Sequence, residues 1–369
     1  MSDNLRRFRS IRRRLKKLYP FEPKGNLARH LKTLAAMISG VVGSKSSNLP
    51  KMAAKIVDSN KPESRVKTFS RWIANDRIDY ETYCLPYVEL LIKSLMNKPL
   101  ALIVDVSAVG RNCVTLVASV LYKSRALPIA WIMQTGKKGH LCEELHIELL
   151  KQVHDIIPEE ATVIFLGDGE FDGMNLVQTI QSYQWQYVCR TAKNRIFSNK
   201  EQEKFSLRHI GVGQEEYFHL PEAWPAKKAH GPLHVMVWWE KKYQEPIYLI
   251  SNIELAREAM YWYKKRFHIE TLFSDQKSRG FNLHKSHLSD PTRLNRLMMV
   301  ICLAYIWIVF LGALAIETGL HKIIHRTDRC DLSLFQLGLR MLEYRLNLAK
   351  SIPVAFQMDL FEKFSKSVR

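Results

Sequence analysis

The spacing of hydrophobic positions changes near residue 99, and that switch divides the chain. Before it, apolar residues recur at steps of three or four. Leu5, Phe8, Ile11, Leu15 and Leu18 form one such stripe, and seven arginines or lysines lie between Arg6 and Lys16. This pattern predicts an amphipathic basic helix. Further helices are predicted over 28–42 and 81–96. From Pro99 onward the pattern becomes short apolar runs. LALIVDVS (100–107) carries a carboxylate, Asp105, at its end and reads as a buried strand. NCVTLVASVLY and ALPIAWIMQ follow with a turn near 123–125, which predicts a hairpin. An amphipathic helix is expected from His140 over 140–157, stopping before Pro158. ATVIFLGDGEFDG is a second apolar run ending in acids, 175–183 reads as a helix, and WQYVCRTAK as a fifth strand.

The order β-β-β-α-β-α-β predicts an α/β fold with a mixed five-stranded sheet flanked by helices. Residues 194–252 break the rhythm with Gly211, Gly213, Pro221, Pro225 and Pro232, and read as a β-rich insertion. One long helix is expected over 254–279. The expected division is a helical basic DNA-binding domain (1–97), a first part of a core (98–193), the insertion (194–252), a second part of the core (253–325) and a C-terminal helical region (326–369).

Charge narrows the choice of partner. The chain has 369 residues, a net charge of +19 and a pI near 9.6, which points to a polyanion. Nucleic acid comes first and a membrane surface second. The six cysteines, at 84, 113, 142, 189, 302 and 330, show no metal-ligand spacing. They read as reduced thiols of a cytoplasmic protein, and the basic N-terminus lacks the apolar core of a secretory signal. The stretch 297–316 has 20 residues without a charge, long enough to span a bilayer. No second such stretch exists and both flanks are charged. It is therefore read as a central buried helix, with no membrane partner, and a membrane-associated protein is the competing reading.

Candidate chemistry comes from two places. Tyr263, Arg266, Glu270 and Lys277 are spaced 3, 4 and 7 apart. On one helix they share an arc of about 60°. A carboxylate there can hold a metal, and the cations and phenol can hold phosphate oxygens. The same residues would also make an ordinary solvated face with an Arg266–Glu270 pair. The second place is the acids closing the two apolar runs, Asp105 and Asp168. Each read singly is also a strand-end cap or a salt-bridge partner, and Glu170 and Asp172 compete with Asp168. Together with Glu270 on a covering helix, the two aspartates could hold two divalent ions about 4 Å apart. Oxygen-only ligands favour Mg2+.

These residues resemble those of DDE transposases of bacterial insertion sequences, in the insertion-sequence-four-like group. The signature Tyr-x2-Arg-x3-Glu-x6-Lys is matched at every position by Tyr263, Arg266, Glu270 and Lys277. LIVDVS and VIFLGDGEFDG resemble the segments around the two catalytic aspartates. KSRGFNLHKSHL resembles the continuation of the glutamate helix. Arg65, Phe69, Arg71 and Trp72 extend the likeness weakly toward the N-terminus.

The resemblance implies an RNase H-like core and a transposase that binds inverted-repeat ends. Such an enzyme cleaves phosphodiesters with two Mg2+ ions, for which Mn2+ substitutes, and joins the 3′-OH to target DNA through a hairpin intermediate. It implies Asp105, Asp168 and Glu270 as catalytic residues and metal ligands. Tyr263, Arg266 and Lys277 would contact DNA, with Arg190 and Lys193 as further backbone contacts. Trp238 or Trp239 would hold a flipped base. If that segment is a strand, the two tryptophans point to opposite faces, and packing of both in the core is the other reading. The implied partners are double-stranded DNA, at transposon ends and target, and a second copy in a synaptic homodimer. The implied location is the bacterial cytoplasm, at the nucleoid. A non-catalytic DNA-binding relative and an RNase H-like nuclease of other purpose are the alternatives.

Overall fold

The computed structural model describes residues 2–137, 139, 141–226 and 231–359. Its first part is helical: α1 (Asp3–Lys16), α2 (Gly25–Ser44), α3 (Leu49–Ala53), α4 (Pro62–Ala74), α5 (Tyr80–Tyr83) and α6 (Leu85–Lys93). The 81–96 segment is thus two helices rather than one, broken at Cys84, where Pro86 follows in the first turn of α6. The apolar stripe of α1 buries Ile11 and Leu15. Its basic residues are not all solvated. The Arg6 guanidinium donates to the Leu346 carbonyl at 2.7 Å, and buried Arg7 donates to the Ser39 carbonyl at 3.0 Å. Both use cations to satisfy carbonyls.

The sheet follows. β1 (Leu100–Val109), β2 (Cys113–Tyr122) and β3 (Arg125–Thr135) form an antiparallel meander, with Lys123 in the left-handed region at the β2–β3 turn. α7 (Glu143–Ile156) leads to β4 (Val163–Gly167), and α8 (Met174–Ser182) to β5 (Gln186–Arg190). β4 pairs in parallel with β1 and with β5. His140, the expected start of α7, lies outside the described residues.

The insertion departs from the expectation of a five-stranded sheet. β6 (Ile196–Ser198), β7 (Lys204–Ser206), β8 (Tyr217–Pro225), β9 (Leu233–Trp238) and β10 (Ile247–Ser251) do not form a separate unit. They continue the same sheet, giving among the described residues ten strands in the order β3-β2-β1-β4-β5-β10-β9-β8-β6-β7. The junction is β10 antiparallel to β5, with Leu249 opposite Arg190.

The remaining helices are α9 (Ala256–Arg266), α10 (His268–Gln276), α11 (Pro291–Glu317), α12 (His321–Ile324) and α13 (Leu334–Asn347). α11 contains the uncharged stretch and is 94% buried over its most apolar window. A helix apolar on all sides needs neighbours on all sides, and α11 packs against α2, α4, α13 and β3. Close approach to α13 rests on two glycines. A Cβ at Gly312 would lie 1.8 Å from the Leu334 carbonyl oxygen, and one at Gly338 1.9 Å from that of Ile308.

The two faces of the sheet carry different helices. Asp105 on β1 contacts Arg266 of α9. Phe165 on β4 contacts Phe171, which packs on His146 of α7. The β1–β4 register puts Asp105 and Phe165 on opposite faces. α9 and α10 therefore cover one face and α7 the other.

Candidate active site

Strand register brings the first two acids together. The β1–β4 ladder ends with Ile103 opposite Leu166. Extending it by two residues sets Asp105 level with Asp168, on the face that Ile103 and Leu166 share, on strands roughly 4.8 Å apart. Asp105 is not at the end of its strand, as its apolar run suggested. β1 continues to Val109, held by β2, and only the β1–β4 pairing stops before the acid. On the other side Gly167 pairs with Cys189, so Arg190 is level with Asp168.

Each aspartate is fixed by its own backbone. An Asp105 carboxylate oxygen accepts the Val106 N–H at 2.7 Å, and one of Asp168 accepts the Glu170 N–H at 3.0 Å. Gly167 permits the sharp exit from β4, because a Cβ there would stand 2.5 Å from that of Phe171. The rival acids are otherwise engaged. Asp172 accepts from Thr191 Oγ1 at 2.5 Å and is ion-paired with Arg195. Glu170 accepts the Leu141 N–H at 2.6 Å.

The long helix expected over 254–279 is two. α9 ends at Arg266, Phe267 intervenes and α10 begins at His268. The four signature residues are therefore divided between two helices, although Arg266 still reaches both Tyr263 and Glu270. Tyr263 and Arg266 end α9 and are buried, at 1% and 7% exposure. Glu270 is on α10 with its side chain 63% exposed. Lys277 caps α10, its ammonium 5.8 Å from the centre of the Phe273 ring. An ordinary solvated face is excluded by the burial of the first two.

Arg266 links the pieces. Its Nη1 lies 3.5 Å from Asp105 Oδ2, and its Nη2 3.8 Å from Glu270 Oε1. Its guanidinium stacks over Phe267 at 4.6 Å. The Tyr263 hydroxyl is buried beside it. Burial pushes its pKa up, Arg266 and Arg190 pull it back, and Asp168 adds to the rise. Asp105, Asp168, Arg190, Tyr263 and Arg266 thus form one neighbourhood, with Glu270 at its solvent side.

Three carboxylates suit a hard divalent cation by donor type. Among the described residues no three acidic, histidine or cysteine side chains enclose an ion-sized space. The reason is local: a guanidinium stands between Asp105 and Glu270. The residues fit a divalent ion if Arg266 withdraws and the exposed Glu270 carboxylate turns inward.

The other residues singled out lie elsewhere. Trp238 is 5% exposed, packed edge-on to Tyr243 with Lys264 over its ring at 4.9 Å. Trp239 is half-buried and donates Nε1–H to the Tyr243 carbonyl at 3.0 Å. Lys193 is exposed and pairs with Glu245 at 3.2 Å. One neighbour of the site was missed by sequence reasoning. His146 of α7 is 4% exposed, and neither ring nitrogen has a hydrogen-bond partner among the described residues. Its Nε2 lies 3.7 Å from Glu170 in the Asp168 loop. The signal was present, since His146 falls on the apolar stripe of Leu149, Leu150 and Val153.

Residues 109–307, more than half of the chain, match the family model described as the transposase DDE domain. The chain belongs to the DDE transposase family. Members of this family cleave DNA and transfer strands, and use divalent metal ions. In this transposase-family chain the matched region includes Asp168 and the segment from Tyr263 to Lys277, and begins four residues after Asp105. No curated protein matches. Among solved structures the chain is similar to a piggyBac transposase, imaged by cryo-EM in a synaptic complex with hairpin DNA. That alignment has 11% identity, covers 95% of this chain and 82% of the other, and has a TM-score of 0.45. A likeness of that size carries no argument about this chain.

Proposed function

We propose that this chain is an insertion-sequence transposase of the insertion-sequence-four-like group. It binds the inverted-repeat ends of its element, cleaves DNA there and joins the freed 3′-OH to target DNA, passing through a hairpin. The observation that carries this reading is Arg266, which pairs with both Asp105 and Glu270, beside a β1–β4 register that sets Asp168 level with Asp105. Acids 165 positions apart in sequence are thus brought to one guanidinium. The sheet order from β3 to β5 supports an RNase H-like core.

In this reading Asp105, Asp168 and Glu270 hold two Mg2+ ions, or Mn2+ in their place. Bound there, the ions would polarise the phosphodiester and help deprotonate the attacking water or hydroxyl. The protein supplies position. The strand register fixes the two aspartates, and α10 delivers the glutamate. Arg266, Tyr263 and Arg190 provide positive charge and a hydroxyl for phosphate oxygens. The buried Arg266 can meet a phosphate only by leaving Asp105 and Glu270, so ion loading and DNA contact are coupled through one side chain. Lys277 and Lys193, at the edges, would bind backbone phosphates. Of the two tryptophans, the half-buried Trp239 is the better candidate to hold a flipped base.

The domain division of the sequence is retained as part of this proposal: 1–97 for DNA binding, 98–193 and 253–325 for catalysis, 194–252 as the insertion and 326–369 as a C-terminal helical region. So are a homodimer at paired DNA ends and a cytoplasmic, nucleoid-associated location. The test is Glu270→Gln. With Mg2+ and duplex DNA carrying the element's own ends, the parent chain is expected to nick the ends. The variant should nick at least about 100-fold more slowly while binding within a few-fold. Unchanged nicking by the variant would remove Glu270 from the reaction. A parent chain that binds the ends and never nicks them would be a non-catalytic relative.

A further inference from the structure

The sheet stops at β3, and no strand among the described residues pairs with its outer edge. Of that edge, Ala130, Trp131, Ile132 and Met133 floor a groove of about 760 Å³, while the strand from Arg125 to Ile129 is buried. The groove runs between α7, on one face of the sheet, and the start of α11, on the other. The β3–β2–β1 register puts Trp131 in one file with Val117 and Asp105, hence on the α9 face. Trp131 donates its indole N–H to Asn295 of α11 at 2.6 Å. The loop before α5 closes one end.

The charge of this groove is opposite to that of the chain. Asp76, Asp79, Glu81, Glu148 and Asp155 line it, against one base among the described residues, Arg296, which already pairs with Asp76 at 2.8 Å. In a chain with 55 basic and 36 acidic residues, this is a local reversal of sign. Such a surface repels nucleic acid and attracts cations. Asp79 is occupied as the cap of α5, accepting the Thr82 N–H at 2.6 Å. Glu81 and Glu148 are exposed and in no ion pair among the described residues.

Backbone and charge point to the same kind of ligand. An unpaired strand edge takes up an extended chain through main-chain hydrogen bonds. Side chains of an added strand alternate in direction, so they would reach the acid-bearing α7 wall on one side and the opposite wall on the other. Tyr80 and Trp131 meet edge-to-face at 5.5 Å beside the floor, an apolar surface for the stems of long cationic side chains. One bond of the edge is already taken, since the Tyr80 hydroxyl donates to the Ile129 carbonyl. That defines where an added strand must end.

We propose that the β3 edge is a docking groove for an extended lysine- or arginine-bearing peptide of a partner protein, which adds to the sheet as a further strand. No residue of this groove belongs to the catalytic neighbourhood, so the proposal stands apart from the proposed function.

The test uses the full chain and a fluorescein-labelled octapeptide of alternating valine and lysine, followed by fluorescence anisotropy at low salt. Saturable binding is expected. The double variant Glu81→Gln/Glu148→Gln should weaken it about tenfold without changing the melting temperature, because both side chains are exposed. Methylating alternate backbone nitrogens of the peptide should abolish binding. Equal affinity for the parent and the double variant, or for the methylated peptide, would overturn the proposal. So would displacement by spermine at a concentration matched in charge, which would assign the groove to a small polycation. Self-association in sedimentation that the double variant loses would make a second copy the occupant and overturn the partner assignment.

Discussion

Two carboxylate–arginine pairs lie beneath the helices covering one face, and their parts are nearly the same. Asp105 meets Arg266 at 3.5 Å with side chains 15% and 9% exposed. Asp275 meets Arg125 at 3.3 Å with side chains 5% and 10% exposed. In each, the arginine Nε is buried with no hydrogen-bond partner among the described residues. The surroundings differ. Around Asp275 the further polar contact is the Tyr305 hydroxyl of α11, at 3.5 Å, in the core. Around Asp105 there are Asp168 at the same level of the sheet, Arg190 one strand further, and Glu270 reaching from solvent. A buried ion pair by itself says little about role, because desolvation consumes most of its attraction. What sets the first pair apart is a surplus of charge, open on one side.

Removing one partner separates the two pairs most sharply. Asp275→Ala leaves the Arg125 cation buried and unpaired. It is expected to cost about 3–5 kcal/mol of stability, read from the urea midpoint, with nicking per folded molecule preserved. Asp105→Asn keeps shape and hydrogen bonding, and Arg266 retains Glu270. It should move the same midpoint far less and abolish nicking. If Asp275→Ala removed nicking at unchanged stability, the two pairs would have been assigned the wrong way round.

The pairs also differ in how pH acts on them. Burial pushes the Asp275 carboxyl up to about 6 from its ordinary value of 3.8, although Arg125 and Tyr305 pull it down. Between about pH 4 and 6 the folded chain then holds a proton that the unfolded chain has released. Stability from this group is therefore present at the acid end and lost as pH rises through the window, by at most about 1.4 kcal/mol per unit. Melting temperatures of the parent and Asp275→Asn across pH 4–6 measure it. The variant should show the shallower decline with rising pH, and identical slopes would mean that the group is not raised.

Much of this arrangement was legible in the sequence. Apolar runs ending in acids gave β1, β4 and their aspartates, and the β2–β3 hairpin followed from alternation around the Lys123 turn. Three features were not. The break at Phe267 has no glycine or proline to announce it. It coincides with tertiary packing of that ring against Tyr243 and Tyr263 and under the Arg266 guanidinium. The ten-stranded sheet depends on β10 joining β5 across about 60 residues, a pairing that no local pattern encodes. The burial of Trp238 was open as well. Alternation allowed either tryptophan to face inward, and contacts with Tyr243 and Lys264 made the choice.

An exposed cation–carboxylate pair completes the scale. Lys193 and Glu245 stand 3.2 Å apart with side chains 58% and 68% exposed. Solvent screens such a pair, and holding two long side chains together offsets much of what remains, so its net worth is about 0–1 kcal/mol. Lys193→Ala should leave the urea midpoint within error of the parent. Its effect belongs on DNA instead. A lysine that neutralises one phosphate lowers the slope of log affinity against log salt by about 1 when removed, on any sequence. Titrating a labelled duplex at several salt concentrations reads that slope. An unchanged slope would keep Lys193 off the DNA, and an altered midpoint would place it with the buried pairs.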